Sequence, residues 1–199
     1  MIARLSGILI AKQPPQLIVD VHGVGYEVEV PMSTLFRMPA LGAAVVLLTH
    51  FVVREDAQLL YGFATQAEKN LFREIIKISG IGPKLALAIL SGIDVDDFWA
   101  TVRIGETGRL VKLPGIGKKT AERIVIEMRD KAGADTGSSA LGRLESGDII
   151  AASPLAEARA ALESLGYKPI EAQKLTDAVT KDGMSTDQII REALKRAIR

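Results

Sequence analysis

The sequence predicts an α+β, multidomain chain. Three observations carry that expectation: strand-like apolar runs confined to residues 1–64, helical spacing of apolar residues from Thr65 onward, and a Gly/Ser/Ala/Asp-rich stretch at 133–153 that sets off a helical tail. At 199 residues, with 48% hydrophobic and 25% charged side chains, the chain suits one medium domain or two to three small ones.

Residues 1–64 read as an OB-fold-like β-barrel, with a small sandwich as the alternative. Ile2–Ile10 and Gln16–Val21 are rich in Ile, Leu and Val, and Pro14-Pro15 separates them. Across Gly25–Val30, Tyr26, Val28 and Val30 alternate with Glu27 and Glu29. Val45–Val53 and Leu59–Phe63 follow, making five short strands. Between the last two lies Arg54-Glu55-Asp56-Ala57-Gln58, a polar tip.

Residues 65–132 read as helical. Leu71, Ile75, Ile76 and Ile78 recur at helical spacing, Leu85–Leu90 is a compact apolar helix, and Phe98, Trp99, Val102 and Ile104 continue the pattern. Leu110-Val111 and Ala121–Met128 complete it. Residues 133–153 cannot bury enough apolar surface to offset their ordering entropy and read as a flexible linker. In 154–199, Ser153-Pro154 starts a helix as N-cap and first helical residue, Ala158, Leu162 and Leu165 line one face, and Gly166 ends it. Pro169–Val179 and Thr186–Ile198 give two more helices, the last with apolar Ile189, Ile190, Leu194 and Ile198. So small a core, tethered in this way, suits a module that binds another protein.

Composition removes several kinds of chemistry. With no cysteine, disulfides, thiolate catalysis, iron–sulfur clusters and Cys-ligated zinc are excluded, and His22 and His50 alone make a thin basis for a metal site. No apolar run approaches the length of a bilayer span, and Met1-Ile2-Ala3-Arg4 does not open a secretory signal, so a soluble protein of a reducing compartment is expected. The net charge of +1 is spread evenly: −1 over 1–64, +2 over 65–135, −1 over 136–154 and +1 over 155–199. A polyanion would have to be held by placed groups rather than by bulk field.

The sharpest signal is an internal repeat. Ile78-Ser79-Gly80-Ile81-Gly82-Pro83-Lys84-Leu85-Ala86 is echoed 35 positions later by Leu113-Pro114-Gly115-Ile116-Gly117-Lys118-Lys119-Thr120-Ala121. Two helical units joined by Gly-Ile-Gly loops are what a double helix-hairpin-helix shows. Glycine permits φ > 0 and a close backbone approach, so loop N–H groups can converge on a phosphate oxygen at the start of the next helix. Ile81 and Ile116 would turn inward, and Lys84, Lys118 and Lys119 would sit in the first helical turns. The same pattern read as a plain helix–helix turn is weakened by its duplication. A P-loop is excluded because the residue five before Gly117 is Lys112 and Lys118 is followed by Lys119; a dinucleotide fingerprint would need a preceding strand. Such a module grips phosphates without reading base edges. Arg103, Arg109, Lys112 and Arg123 are auxiliary candidates.

Glu55 and Asp56 read either as a solvated turn or as carboxylates that repel phosphates and keep strands apart. No third carboxylate or histidine stands near them in sequence to suggest a nuclease, and no nucleophile–base constellation emerges, so no catalytic residue, metal or cofactor is expected.

Taken together, the doubled hairpin, Phe51-Val52-Val53-Arg54-Glu55-Asp56, Leu71-Phe72-Arg73-Glu74, Gly82–Gly92, Leu113–Arg123 and Leu165-Gly166-Tyr167-Lys168-Pro169 resemble the RuvA family along the whole chain. The resemblance implies a non-catalytic bacterial cytoplasmic protein that binds four-way (Holliday) DNA junctions in recombination and repair. It implies a homotetramer, alone or paired into an octamer, whose double hairpins hold the arms through Ser79, Gly80, Ile81, Gly82, Lys84, Gly115, Ile116, Gly117, Lys118, Lys119 and Arg123. Glu55 and Asp56, beside Arg54, would be an acidic pin at the crossover. The tail, a UBA-like three-helix module, would dock RuvB, a hexameric AAA+ ATPase, through Leu162, Leu165, Tyr167 and Leu194. A junction resolvase would join the same complex. Ser79 departs from the family pattern, where Asn is common.

Two other classes compete. The Leu-Pro-Gly-Ile-Gly-Lys-Lys-Thr-Ala stretch also resembles base-excision glycosylases, which need a catalytic Asp or Lys beside a base-sized pocket. Asp130 and Asp135 lie at about that distance, where the chain passes into linker. A pure adaptor using the tail alone would leave the doubled hairpin without a purpose.

Overall fold

The computed structural model describes residues 1–134, 153–181 and 183–197. The expected linker thus lies outside the described residues except at its margins, as do Asp135 and Ile198 and the side chain of Asp130. The chain divides into two compact units, Met1–Gly142 and Arg143–Arg199.

In the first unit, β1 (Arg4–Gln13), β2 (Gln16–Val21), β3 (Val24–Glu29), β4 (Ala44–Val53) and β5 (Gln58–Phe63) form a closed barrel in the order β1-β2-β3-β5-β4. β3 and β5 meet in parallel at Glu29 and Tyr61; the other pairings are antiparallel. This is the barrel alternative of the sequence reading, with β1 starting and ending later than expected. Period-2 alternation sends Leu5, Leu9, Leu17, Val19, Val28, Val45 and Leu47 inward. Gly7 is obligatory where β1 bends over β2, since a Cβ there would stand 2.0 Å from the Asp20 carbonyl oxygen.

Among the described residues, six helices complete the unit: α1 (Met32–Phe36), α2 (Gln66–Ile75), α3 (Pro83–Gly92), α4 (Val95–Ile104), α5 (Thr107–Val111) and α6 (Lys118–Ala134). α6 continues through Ala134, two residues into the stretch read as linker. α1 is absent from the sequence reading; five residues are too few to show a period. The barrel and helices are not separate in packing. Leu60 and Gly62 of β5 face the barrel interior, while Tyr61 and Phe63 enter the helical core. There they meet Phe72 of α2, at ring-centroid distances of 5.1 and 4.9 Å, with His50 of β4 edge-on at 5.6 Å. Burial, then Arg73 and Lys69, hold the His50 imidazole below its ordinary pKa. Farther into the helices, Trp99 packs at right angles to the buried Phe98, 5.6 Å away.

A polar joint flanks the aromatic one. Glu68, buried in the first turn of α2, closes a capping box with Thr65 and also accepts from the hydroxyls of Ser33 (2.6 Å) and Thr34 (3.1 Å) on α1. The Thr34 hydroxyl accepts in turn from Ala64 N–H, and the Met32 N–H donates to Ser91 Oγ of α3 at 2.9 Å. At the other end of α2, Glu74 pairs with Lys77 and with Lys131 of α6. Burial raises its pKa, but the bonds from the two lysines outweigh that and leave it lowered.

In the second unit, α7 (Pro154–Ser164), α8 (Pro169–Asp177) and α9 (Thr186–Ala197) pack around Leu162, Ala172 and Ala193. Ser153 accepts from Ala156 N–H as N-cap, with Pro154 in the first turn, as expected.

Replacing Glu68 by Ala should lower unfolding stability by about 2–3 kcal/mol, because buried hydroxyls and the Thr65 N–H lose their acceptor. Denaturant titration should show the midpoint falling with an unchanged slope; an unchanged midpoint would refute the joint.

Candidate nucleic-acid interface

The two hairpins share one backbone geometry. In the first, Ile81 N–H donates to Ile78 O at 3.0 Å and Gly80 has φ +85°; in the second, Ile116 N–H donates to Leu113 O at 3.2 Å and Gly115 has φ +81°. The only non-glycine residue with positive φ among those described is His22, so Ser79 and Pro114 lie at negative φ and both turns are type II, with glycine where φ > 0 is required. Gly82 and Gly117 then open α3 and α6, accepting from Ala86 N–H at 3.1 Å and Ala121 N–H at 3.0 Å. Ile81 and Ile116 are buried in the helical core, as their spacing implied. Their side chains are therefore closed to a ligand, and their N–H groups are already engaged within the turns.

The outward side of both hairpins is open. A Cβ added at Gly82 or Gly117 would meet nothing within 4 Å, and Lys84, Lys118 and Lys119 are exposed and unpaired among the described residues. Each hairpin thus presents backbone N–H groups at the N-terminus of a helix of ten or more residues, with a cation in its first turn. The copies differ in their first helical turns: Pro83 removes an N–H from that of α3, whereas Lys118 keeps it in α6. The auxiliary cations separate. Arg103 and Lys112 are exposed, while Arg109 is paired with Asp97 at 3.2 Å. Arg123 donates to the Ser79 carbonyl at 2.7 Å, a contact across 44 residues that no local pattern signals.

Two models of the RuvA family match the ends of the chain, the RuvA N-terminal domain over residues 1–62 and the RuvA C-terminal domain over 153–197, and a SAM-like helix-hairpin-helix tandem model matches 72–130. The chain is 50% identical over 204 residues to the Holliday junction branch migration complex subunit RuvA of Vibrio vulnificus, covering 100% of both. It is 54% identical over 202 residues to the protein of that name from Shewanella frigidimarina, and 51% identical over 198 to the one from Stutzerimonas stutzeri, covering 98% of each chain in both cases. The chain belongs to the RuvA family.

The family's expected acidic pin falls at the loop 54–57 between β4 and β5, where Arg54 N–H donates to Ala57 O at 2.8 Å and Val53 pairs with Gln58. Glu55 and Asp56 are exposed there, and neither is paired among the described residues. Among those residues, no group of three or more His, Cys, Asp or Glu could hold a metal ion. No described helix is long and apolar enough to cross a membrane.

The four residues that the resemblance assigned to a RuvB-type motor occupy different environments. Leu162 is fully buried in the three-helix core, Tyr167 and Leu194 are half-buried against it, and Leu165 is 61% exposed just after α7. Leu165 is thus exposed although its backbone stays helical as the C-cap of α7, with φ −82° and its N–H donating to Ala161 O at 3.1 Å; Gly166 then ends the helix at φ +99°. Ile170, missed in the sequence, is 71% exposed at the start of α8. The cue was available: an apolar residue in the first helical turn, five positions after Leu165.

The hairpin geometry separates its glycines by substitution. Gly80→Ala and Gly115→Ala should each cost about 1–2 kcal/mol, since alanine must adopt positive φ. Gly82→Ala and Gly117→Ala should each cost no more than about 1 kcal/mol. Thermal unfolding of the four variants distinguishes the classes, and equal losses would contradict the turn assignment.

Proposed function

We propose that this chain is the non-catalytic, junction-recognising subunit of a branch-migration complex, binding four-way DNA by structure rather than sequence. The observation that carries the reading is the pair of type II hairpins with the same bond and the same positive-φ glycine, each opening an exposed helix N-terminus flanked by lysine, in a member of the RuvA family. A phosphate on each hairpin accepts from the N–H groups of Gly80 and Gly82 or of Gly115 and Gly117, and Lys84, Lys118 and Lys119 neutralise its charge. Two such grips in one subunit clamp a duplex through its backbone, which makes affinity strongly salt-dependent.

Four copies, alone or as two stacked sets, give each junction arm its own clamp and raise overall avidity far above that of one clamp. Glu55 and Asp56 repel phosphates at the crossover and steer the separated strands. The three-helix unit docks the RuvB-type ATPase, which supplies ATP hydrolysis, and a junction resolvase acts on the same assembly in the cytoplasm. Exposed Leu165 and Ile170, with Tyr167 beside them in sequence, supply the apolar contact, while buried Leu162 shapes it from beneath.

Fluorescence-anisotropy titration of a four-way junction against linear duplex of the same arm sequence, at two salt concentrations, tests this reading. A large junction preference that weakens with salt is expected; equal affinity would refute it and favour a generic duplex binder or glycosylase. In the same assay Gly82→Ala with Gly117→Ala should lose about tenfold or more in affinity, because the added methyl groups occupy the phosphate approach. Glu55→Gln with Asp56→Asn should bind at least as tightly as the wild type while branch migration changes. Replacing Leu165 and Ile170 by Ser should spare junction binding and abolish stimulation of the ATPase; retained stimulation would move the docking site elsewhere.

A further inference from the structure

A type II turn depends on the orientation of its central peptide, and flipping that unit converts it into another turn type. In the second hairpin Pro114 holds the position before that peptide, where its ring fixes φ near about −65° and favours the turn. The first hairpin has Ser79 there, which brings no such restraint. Instead it receives a bond from the other hairpin's helix: Arg123 of α6 donates from Nη1 to the Ser79 carbonyl oxygen at 2.7 Å. The same nitrogen lies 3.6 Å from the place a Cβ on Gly80 would take.

The Ser79 carbonyl and the Gly80 N–H belong to one trans peptide and point in opposite directions. Holding the carbonyl toward Arg123 therefore aims the Gly80 N–H away from it, into the orientation that a donor to phosphate needs. Building on the function proposed above, we infer that Arg123 is a positioning residue that bridges the two hairpins and locks the central peptide of the first, as Pro114 locks that of the second. The repeat contains no reciprocal bridge, because the residue 35 positions before Arg123 is Ala88.

The test is a rescue. Junction affinity is measured for the full chain as wild type, Arg123→Gln, Ser79→Pro, and both together. Arg123→Gln should weaken binding by about tenfold in the wild-type background and by about twofold or less in the Ser79→Pro background, so that the proline removes most of the loss. Proline adds no charge, so recovery cannot come from a replaced phosphate contact. An equal loss in both backgrounds would overturn the inference and leave Arg123 as a phosphate contact only. If Ser79→Pro itself impairs binding, double-mutant cycles of Arg123→Gln with Lys84→Ala and with Lys118→Ala decide. Coupling of about threefold or more to Lys84 but not to Lys118 supports the lock, and additivity with both overturns it. A wild-type chain that binds neither junction nor duplex would overturn the proposed function and this inference together, a pattern distinct from failed rescue alone.

Discussion

The placement of the hairpins depends on how α2 is seated against the barrel. Phe72 fills the space between Tyr61, Phe63 and His50, and Glu68 one turn earlier gathers hydroxyls from α1 and the N–H that opens α2. Close-packed rings fix distance but tolerate small rotations, whereas a buried carboxyl group with several donors fixes direction. Together they set the angle at which the hairpin helices leave the barrel, and hence where the loop 54–57 stands relative to the two glycine turns. The proposed clamp on the DNA arms and the proposed pin at the crossover both require that relation to be stiff.

The repeat shows how one backbone can be reached from two sequences. Both hairpins share the i→i+3 bond, the positive-φ glycine and the helix-opening glycine, because these are requirements of the turn itself. What differs is how each turn is kept in place: a proline acts within its own peptide, and an arginine acts from a distant helix. Pro83 likewise trades one N–H for a helix start with a preset backbone angle. The copies are therefore similar in shape and unequal in chemistry.

Most of this was legible in the sequence wherever a local rule governs. Strand alternation gave the barrel, the Gly-Ile-Gly echo gave the hairpins, and Ser153-Pro154 marked the start of α7 within a residue. Features set by tertiary partners were not legible. Met32–Phe36 is too short to carry a period, Glu68 reads as an ordinary first-turn acid until its partners on α1 are in place, and the Arg123–Ser79 bond joins residues 44 apart. Leu165 illustrates a subtler limit: its spacing and its helical backbone both continue α7, yet it stands exposed, because burial depends on what packs over a face and not on spacing alone.

The single tryptophan of the chain has a consequence of a different kind. Trp99 stands in α4 against Phe98, among the helices that carry the two hairpins, while the aromatic seam of the barrel contains tyrosine and phenylalanine but no indole. Its emission therefore reports the packing of the helical core around α4. The native protein contains an intrinsic optical probe placed to follow that part of the molecule without any label being attached.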